Sequence, residues 1–168
     1  ENILRATCNT LRTNMAEYTH STSWTPFDAS TYRIGIVTGQ FNTEACELLV
    51  ANAKEKLTQY RVSDDTVDVF RVSGSAELPV VLKHLATTEK YDALVAIGVI
   101  VRGQTVHFDY VAKIATKGIL RVQMDYGIPI GFGVLMLENH DQLADRIRVG
   151  GDAAEAALQS AKVIKENS

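Results

Sequence analysis

Apolar runs alternate with longer amphipathic stretches along the chain from Tyr32 onward. Four short runs rich in β-branched residues predict strands, and between them apolar residues recur every three or four positions, as on one face of a helix. The third run, ALVAIGVIV, contains no polar residue, which is typical of a strand buried on both faces of a parallel sheet. The predicted strands cover residues 33–39, 66–72, 93–101 and 128–137.

A helix is predicted after each strand, and a further helix closes the chain. Thr43 is placed to cap the first helix, Pro79 falls near the first turn of the second, and Gly127 is placed to end the third. Asn139 is expected to cap the fourth helix. The predicted helices cover residues 43–60, 75–90, 107–127, 139–149 and 153–167, and the core stripe of the third comprises Phe108, Val111, Ala115, Ile119, Val122 and Tyr126.

This alternation predicts an α/β fold, a three-layer α/β/α sandwich around a four-stranded, mainly parallel sheet, because strand–helix–strand units cross over right-handedly. We expect residues 32–168 to form one domain and residues 1–31, rich in Ser and Thr and without a steady period, to form an N-terminal arm. Trp24 and Phe27 could anchor this arm on a neighbouring subunit. A remnant of an organelle-transit peptide is the alternative.

Composition excludes several classes of protein. The formal net charge of −3 and the lack of a basic block give no support to nucleic-acid binding. No apolar stretch reaches the roughly 20 residues that span a bilayer. Cys8 and Cys46 have no metal or redox spacing, and Cys46 is expected to be a small buried residue. We therefore expect no metal, no membrane and a cytoplasmic location, or a plastid-type one if residues 1–31 are a transit remnant.

Ligands of such sheets bind beyond the carboxyl ends of the strands. After the third strand, Gly103 and the N–H groups of Gln104 and Thr105 stand at a helix start, where an anion is favoured. His107 follows in the first turn and can move a proton near neutral pH. An ordinary strand–helix connection fits the same residues, so these residues alone leave both interpretations open.

Two other connections add chemistry at the same edge. Phe41 could stack on a flat heterocycle, although a single Phe there is more often part of the core. Glu77 could accept hydrogen bonds, although an acid in a first turn more often complements the helix dipole. Arg146 alone would count as a solvated cation. Together these groups suit the joining of a flat polar heterocycle to a small phosphorylated carbonyl compound.

Four motifs, in the same order and at similar separations, resemble those of the lumazine synthase family. The most specific is GVIVRGQTVHFDYVA (98–112), which resembles the pattern G-x-x-I-R-G-x-T-x-H-[FY]-[DE]-Y-[VI]. The other three are QFN (40–42), RVSGSAELP (71–79) and GFGVL (131–135). The resemblance covers residues 32–165 and implies a flavodoxin-like sheet.

The resemblance also implies a role for each matched residue. Phe41 would stack on a pyrimidine, and Glu77 would accept hydrogen bonds from ribityl hydroxyls. His107 would act as acid and base, while Arg146, together with Phe132, would come from an adjacent subunit, with Arg146 binding a phosphate. The remaining matched positions are Asn42, Ser75 and Ala76 in the pocket, Ile100 and Val101 at the strand end, and Gly103, Gln104 and Thr105 in the phosphate loop.

The implied activity is that of a transferase of riboflavin biosynthesis. It condenses 5-amino-6-(D-ribitylamino)uracil with 3,4-dihydroxy-2-butanone 4-phosphate to give 6,7-dimethyl-8-ribityllumazine, phosphate and water, and it needs no cofactor. The implied assembly is a homo-oligomer, a pentamer or an assembly of pentamers, whose active sites are shared between subunits. Arg102 is expected to form a structural ion pair and not to bind substrate.

Departures from the family pattern leave an alternative open. Ala76 stands where many members carry an aromatic residue, and the segment after Arg146 is about two residues shorter and lacks both of the usual lysines. A non-catalytic homologue that binds a lumazine or riboflavin, or that forms a shell, is therefore the second hypothesis. A flavodoxin-like electron carrier fits only the topology, because the chain lacks a Ser/Thr-rich loop after the first strand.

Overall fold

A single parallel sheet forms the middle layer of the protein. The computed structural model describes residues 24–168. The strands are β1 (Ile34–Gly39), β2 (Val67–Val72), β3 (Ala93–Val101) and β4 (Ile130–Leu137). Their order in the sheet is β2-β1-β3-β4, and each of the three neighbouring pairs is parallel. The prediction of a mainly parallel four-stranded sheet is thus confirmed.

Two helices cover each face of the sheet and complete the predicted three-layer sandwich. The first and last helices pack against each other on one face, and the second and third pack on the other, so that the core divides into two apolar clusters. Among residues 24–168, no helix is both long and apolar enough to cross a membrane. The helices are α1 (Thr43–Gln59), α2 (Leu78–Ala86), α3 (His107–Tyr126) and α4 (Val149–Glu166).

Two helices differ in length from the prediction. Helix α2 is shorter than the predicted helix over residues 75–90. At its start, residues 73–77 stay irregular at the sheet edge. At its end, the hydroxyls of Thr87 and Thr88 donate to the carbonyls of His84 and Leu85. Helix α4 begins four residues before the predicted residue 153, although this first turn contains two glycines. Close packing against α1 compensates for the low helix propensity of glycine there.

The helix ends also differ in detail. Asn42, not Thr43, is the N-cap of α1, with left-handed backbone angles of φ 57° and ψ 49°, and the Thr43 hydroxyl donates to the Gln40 carbonyl. Asn139 makes no capping hydrogen bond, and a 3-10 helix, His140–Arg146, replaces the predicted α-helix. Gly127 ends α3 at φ 63° as predicted.

Tyr126 does not belong to the core stripe of α3. Its side chain is 39% exposed, so the stripe ends one turn earlier, at Val122. At the beginning of the described chain, Phe27 packs edge-on against Tyr32 and Tyr60 of the same chain. Phe27 is therefore held by its own domain, whereas Trp24 is 56% exposed. Residues 1–23, with most of the predicted arm and Cys8, lie outside the described residues.

Candidate active site

The connections after β1, β2 and β3 meet around one cavity at the carboxyl edge of the sheet. Its volume is about 330 Å³. The strand order explains the convergence, because β1 lies between β2 and β3 and all three point the same way. The cavity is lined by Phe41, Asn42, Gly74, Ser75, Ala76, Glu77, Val99, Ile100, Val101, His107 and Val111.

Phe41 stands at the rim of this cavity and not in the core. Its side chain is 71% exposed, and a ring carbon lies 2.9 Å from the position that a Cβ on Gly74 would take. The Phe41 N–H donates to the Ser73 carbonyl at 3.0 Å, and the Asn42 side-chain amide donates to the Val99 carbonyl at 2.9 Å. An exposed ring held by a fixed turn can stack on a flat ligand.

Cys46 supports this turn from below. It is 1% exposed, as predicted, and burial raises the pKa of its thiol. The thiol donates to the Phe41 carbonyl at 3.5 Å, and the Cys46 N–H donates to the Asn42 carbonyl at 3.0 Å. Because burial disfavours the thiolate, Cys46 is a structural residue and not a nucleophile.

Ser75 and Glu77 bring polar groups to the cavity from the connection after β2. Ser75 is buried, and its hydroxyl oxygen occupies the space that a side chain on Gly98 would need. A Glu77 carboxylate oxygen lies 3.3 Å from the position that a Cβ on Gly74 would take, so it stands near the Phe41 ring. Within residues 24–168, no cation lies within ion-pairing distance of Glu77. The carboxylate is thus available as a hydrogen-bond acceptor.

The loop from Gly103 to Thr105 lies between two residues that line the cavity, but Gly103, Gln104 and Thr105 are not themselves part of the lining. Val101 before it and His107 after it both line the cavity. In the described chain, the N–H groups of Gln104 and Thr105 donate to no acceptor, and nothing lies within 4 Å of where a Cβ on Gly103 would be. These exposed amides precede α3 directly, so an anion could approach them closely.

Arg102 is held by two carboxylates, which confirms the predicted structural ion pair. Its guanidinium donates to Asp109 at 3.1 Å and to Glu138 at 2.7 Å, and it lies 4.1 Å from the centre of the Phe108 ring. The hydrogen bonds to Asp109 and Glu138 raise the pKa of the guanidinium. Arg102 therefore already has its anionic partners within the chain.

Phe132 and Arg146 do not line this cavity. Phe132 lies on β4, where it pairs with Ala96 and is 39% exposed. Arg146 is exposed at the end of the 3-10 helix, and its guanidinium donates to the Gln142 carbonyl at 2.9 Å. That an adjacent subunit supplies both residues stays a prediction.

Three lining residues were not predicted from the sequence: Gly74, Val99 and Val111. Val111 had been assigned to the core alone, yet it is half-buried and also faces the cavity one helical turn after His107. The spacing of four residues from His107 is the signal that could have identified it, because such residues share one face of a helix.

The sequence matches known proteins along the whole region that builds this site. The family model for 6,7-dimethyl-8-ribityllumazine synthase matches residues 31–165, which include all four strands and every residue of the cavity. A 6,7-dimethyl-8-ribityllumazine synthase of Lawsonia intracellularis is 37% identical over 147 residues, covering 84% of this chain and 94% of that protein. The chain therefore belongs to the 6,7-dimethyl-8-ribityllumazine synthase family.

Proposed function

We propose that the protein condenses 5-amino-6-(D-ribitylamino)uracil with 3,4-dihydroxy-2-butanone 4-phosphate in the cavity between Phe41, Glu77 and His107. This is the family's transferase reaction in riboflavin biosynthesis. The observation that carries the assignment is the convergence of an exposed aromatic ring, an available carboxylate and a histidine on one cavity of about 330 Å³. These three groups suit a flat heterocycle, a polyhydroxyl chain and proton transfer.

The uracil substrate occupies the inner part of the cavity in this proposal. Its ring stacks on Phe41, and the strand end at Ile100 and Val101 offers backbone groups to its edge. Ser75 and Glu77 take the ribityl hydroxyls, with Glu77 as the charged acceptor, because hydrogen bonds to a carboxylate are the stronger ones. Asn42 and Ala76 complete the wall, and the small Ala76 leaves room on the ribityl side.

The phosphorylated substrate lies at the rim. Its phosphate is held by the backbone N–H groups of Gln104 and Thr105 beside Gly103, at the start of α3, where the helix dipole favours a negative charge. Arg146 of an adjacent subunit supplies the balancing cation. A guanidinium suits this role because it donates two parallel hydrogen bonds to phosphate oxygens.

The reaction then needs orientation and proton transfer, and no cofactor. The 5-amino group attacks the ketone, and loss of water gives an imine. Inorganic phosphate leaves by elimination, and the carbonyl that this uncovers reacts with the ribitylamino nitrogen, so that a second water departs as the ring closes. His107 moves the protons, a contribution of roughly 10²–10⁴-fold in rate. Correct orientation of two bound substrates contributes as much or more.

The proposed assembly is a homo-oligomer built from pentamers, with each site shared between two subunits. The positions of Phe132 and Arg146, both exposed and outside the cavity of their own chain, support this sharing. Large apolar side chains on the outer side of α3 support it as well, because such residues usually mark an interface. They are Ile114, Leu120 and Met124, which are 51%, 59% and 72% exposed.

We also propose a cytoplasmic location, or a plastid-type one if residues 1–31 are a transit remnant. We further propose a division into this arm and a domain of residues 32–168, with Phe27 of the arm packed on that domain. Fluorescent fusions of the chain with and without residues 1–31 test the location. An organelle signal that requires residues 1–31 would identify a transit segment. A diffuse cytoplasmic signal from both fusions would exclude it.

Activity is tested by mixing the purified protein with both substrates and following lumazine absorbance and phosphate release. We expect a rate above the spontaneous condensation. His107→Ala should lower kcat, whereas Arg146→Ala should mainly raise KM for the phosphorylated butanone. No rate above the spontaneous reaction, together with tight binding of riboflavin, would instead support the non-catalytic alternative.

A further inference from the structure

Arg102 joins three elements of the fold at the carboxyl edge of the sheet. It directly follows β3, and its backbone N–H donates to the Leu137 carbonyl at the end of β4 at 2.9 Å. Both terminal nitrogens of its guanidinium donate to Asp109, at 3.1 and 3.3 Å, and its Nε donates to Glu138 at 2.7 Å. One side chain thus ties the start of α3 to the segment that follows β4.

On the α3 side, Arg102 restrains the turn that carries His107. Phe108 is buried beneath the guanidinium, and Asp109 is hydrogen-bonded to it, so both residues that follow His107 are held. The preceding loop has little other support in the described chain. Residues 103–106 are all exposed. The His107 N–H donates to the Thr105 hydroxyl at a long 3.4 Å, and the N–H of Asp109, the residue that Arg102 holds, donates to the Val106 carbonyl at 3.1 Å.

On the β4 side, hydrogen bonds continue from Glu138 to Arg146. The Glu138 N–H donates to the Gln142 side-chain oxygen at 2.9 Å. The Gln142 carbonyl in turn accepts a hydrogen bond from the Arg146 guanidinium, also at 2.9 Å. Arg146 is therefore placed by a segment whose first residue is fixed by Arg102.

We propose that Arg102 is a positioning residue that holds His107 in its own site and, through Glu138 and Gln142, holds Arg146 for the site of the neighbouring subunit. The inference rests on the proposed function, because it assumes the roles given there to His107 and Arg146. It adds that one cation sets the geometry of two active sites. The contact with Asp109 acts on the site of its own subunit, and the contact with Glu138 acts on the site of the neighbouring subunit.

Kinetics can separate the effect of the Asp109 contact from that of the Glu138 contact. Asp109→Asn should lower kcat about tenfold with little change in KM, because misplacing a reacting group by about 1 Å costs up to roughly 10²-fold in rate. Glu138→Gln should instead raise KM for the phosphorylated butanone several-fold. Arg102→Gln should show both effects. Arg102→Lys should not restore activity, because a single ammonium group cannot reproduce the planar fork that meets both carboxylates.

Hydrogen exchange gives a readout that does not depend on activity. In Arg102→Gln, the amides of residues 103–109 and 138–146 should lose protection, while those of β1 keep it. Arg121→Gln is the matched control, since Arg121 forms an exposed ion pair with Asp125 on the same helix, at 3.2 Å. This variant should leave both kinetic constants and the exchange of the two segments unchanged.

The outcomes distinguish this inference from the proposed function. If His107→Ala and Arg146→Ala behave as expected while Asp109→Asn and Glu138→Gln stay within about twofold of the parent protein, the role of Arg102 is overturned and the site assignment stands. If the parent protein has no activity, or if His107→Ala is as active as the parent protein, the proposed function fails. In that case, unchanged hydrogen exchange in Arg102→Gln would also overturn the role of Arg102 as a positioning residue.

Discussion

At the scale of single residues, the floor of the cavity depends on the absence of a side chain at Gly98. The Ser75 hydroxyl fills the space in which a Cβ of residue 98 would stand. Gly98→Ala should therefore displace Ser75. We expect it to raise KM for the ribitylaminouracil and to lower the melting temperature. Steady-state kinetics with each substrate varied in turn, beside thermal unfolding, test this expectation.

A second variant isolates the cause. In a Ser75→Ala background, the clash with the hydroxyl is gone, so Gly98→Ala should have a smaller effect on stability there than in the parent chain. Equal losses of stability in the two backgrounds would show that the crowding comes from another neighbour.

Tyr60 makes stability depend on pH in the alkaline range. Its hydroxyl donates to Glu155 at 2.6 Å and accepts a hydrogen bond from Gln159 at 3.0 Å. Burial, followed by the hydrogen bond to Glu155, raises the pKa of Tyr60 to about 12. The folded state thus favours the protonated phenol. This contribution is complete below the unfolded pKa of about 10 and is lost as the pH rises through 12.

Tyr60→Phe should lower the free energy of unfolding by about 1–3 kcal/mol at neutral pH, because Glu155 loses a buried donor. It should also flatten the decline of stability between pH 10 and 12, measured by urea unfolding. Tyr110→Phe is the control, since the Tyr110 side chain is 62% exposed. An unchanged alkaline decline in Tyr60→Phe would assign that decline to other groups.

At the scale of elements, α1 and α4 approach so closely that glycine is required between them. A Cβ on Gly150 would collide with the carbonyl of Leu49 in α1, which is backbone and cannot swing aside. Gly150→Ala should destabilise the protein by about 1–3 kcal/mol despite the better helix propensity of alanine. Gly103→Ala is the matched stability control, because no atom of residues 24–168 lies within 4 Å of its Cβ position.

Chemical unfolding of both variants measures the difference. A Gly150→Ala protein as stable as the parent would mean that the two helices can move apart without cost. The same contact explains why the start of α4 was predicted four residues too late. The start of α4 is determined by contact with α1, which is far away in the sequence, so a local pattern starting at residue 153 could not reveal it.

Other element ends were missed for related physical reasons. Periodicity predicted the four strands and the long helix α3, because their apolar positions are buried in the regular pattern that a sheet and a helix face require. It extended α2 through residues 75–77, where contacts with the cavity wall keep the chain irregular. Asn42, and not the predicted Thr43, caps α1 because its backbone is left-handed and its side chain is hydrogen-bonded to β3. No single local signal in the sequence marks this conformation.

At the scale of the whole molecule, the sequence predicted which connections meet at the cavity, but it did not determine where Phe132 and Arg146 lie relative to it. Loops that follow neighbouring parallel strands must meet at one edge of the sheet, so the sequence alone groups Phe41, Glu77 and His107. Residues 103–105 lie beside the cavity and not in its lining, so their predicted contact with a phosphate stays a prediction. Phe132 and Arg146 lie outside the cavity of their own chain, and their proposed place in a neighbouring subunit's site is one that neither a local pattern nor a single chain determines.

The proposed sharing of sites between subunits predicts complementation. His107→Ala and Arg146→Ala chains each lack one of the two groups at every site, but a mixed ring contains sites that combine a native His107 with a native Arg146 from the neighbour. Co-refolded in equal amounts, the two variants should regain activity at about a quarter of the sites, as random assembly in a head-to-tail ring requires.

The control for complementation is the double variant His107→Ala/Arg146→Ala, refolded with the parent chain under the same conditions. There a quarter of the sites should again be complete, because both groups must come from parent subunits. A mixture of the two single variants that is no more active than either alone, in assemblies shown by mass to contain both chains, would place both residues in one subunit's site.

The packing of α4 on α1 has a consequence for the exposure of apolar surface during synthesis of the chain. Helix α1 is made before α4, the helix that covers its apolar side. During the seconds of synthesis in between, the buried face of α1 and the central strands have no complete cover. A ribosome that stalls before residue 149 should therefore hold a chain that recruits chaperones, and release of the complete chain should end that binding.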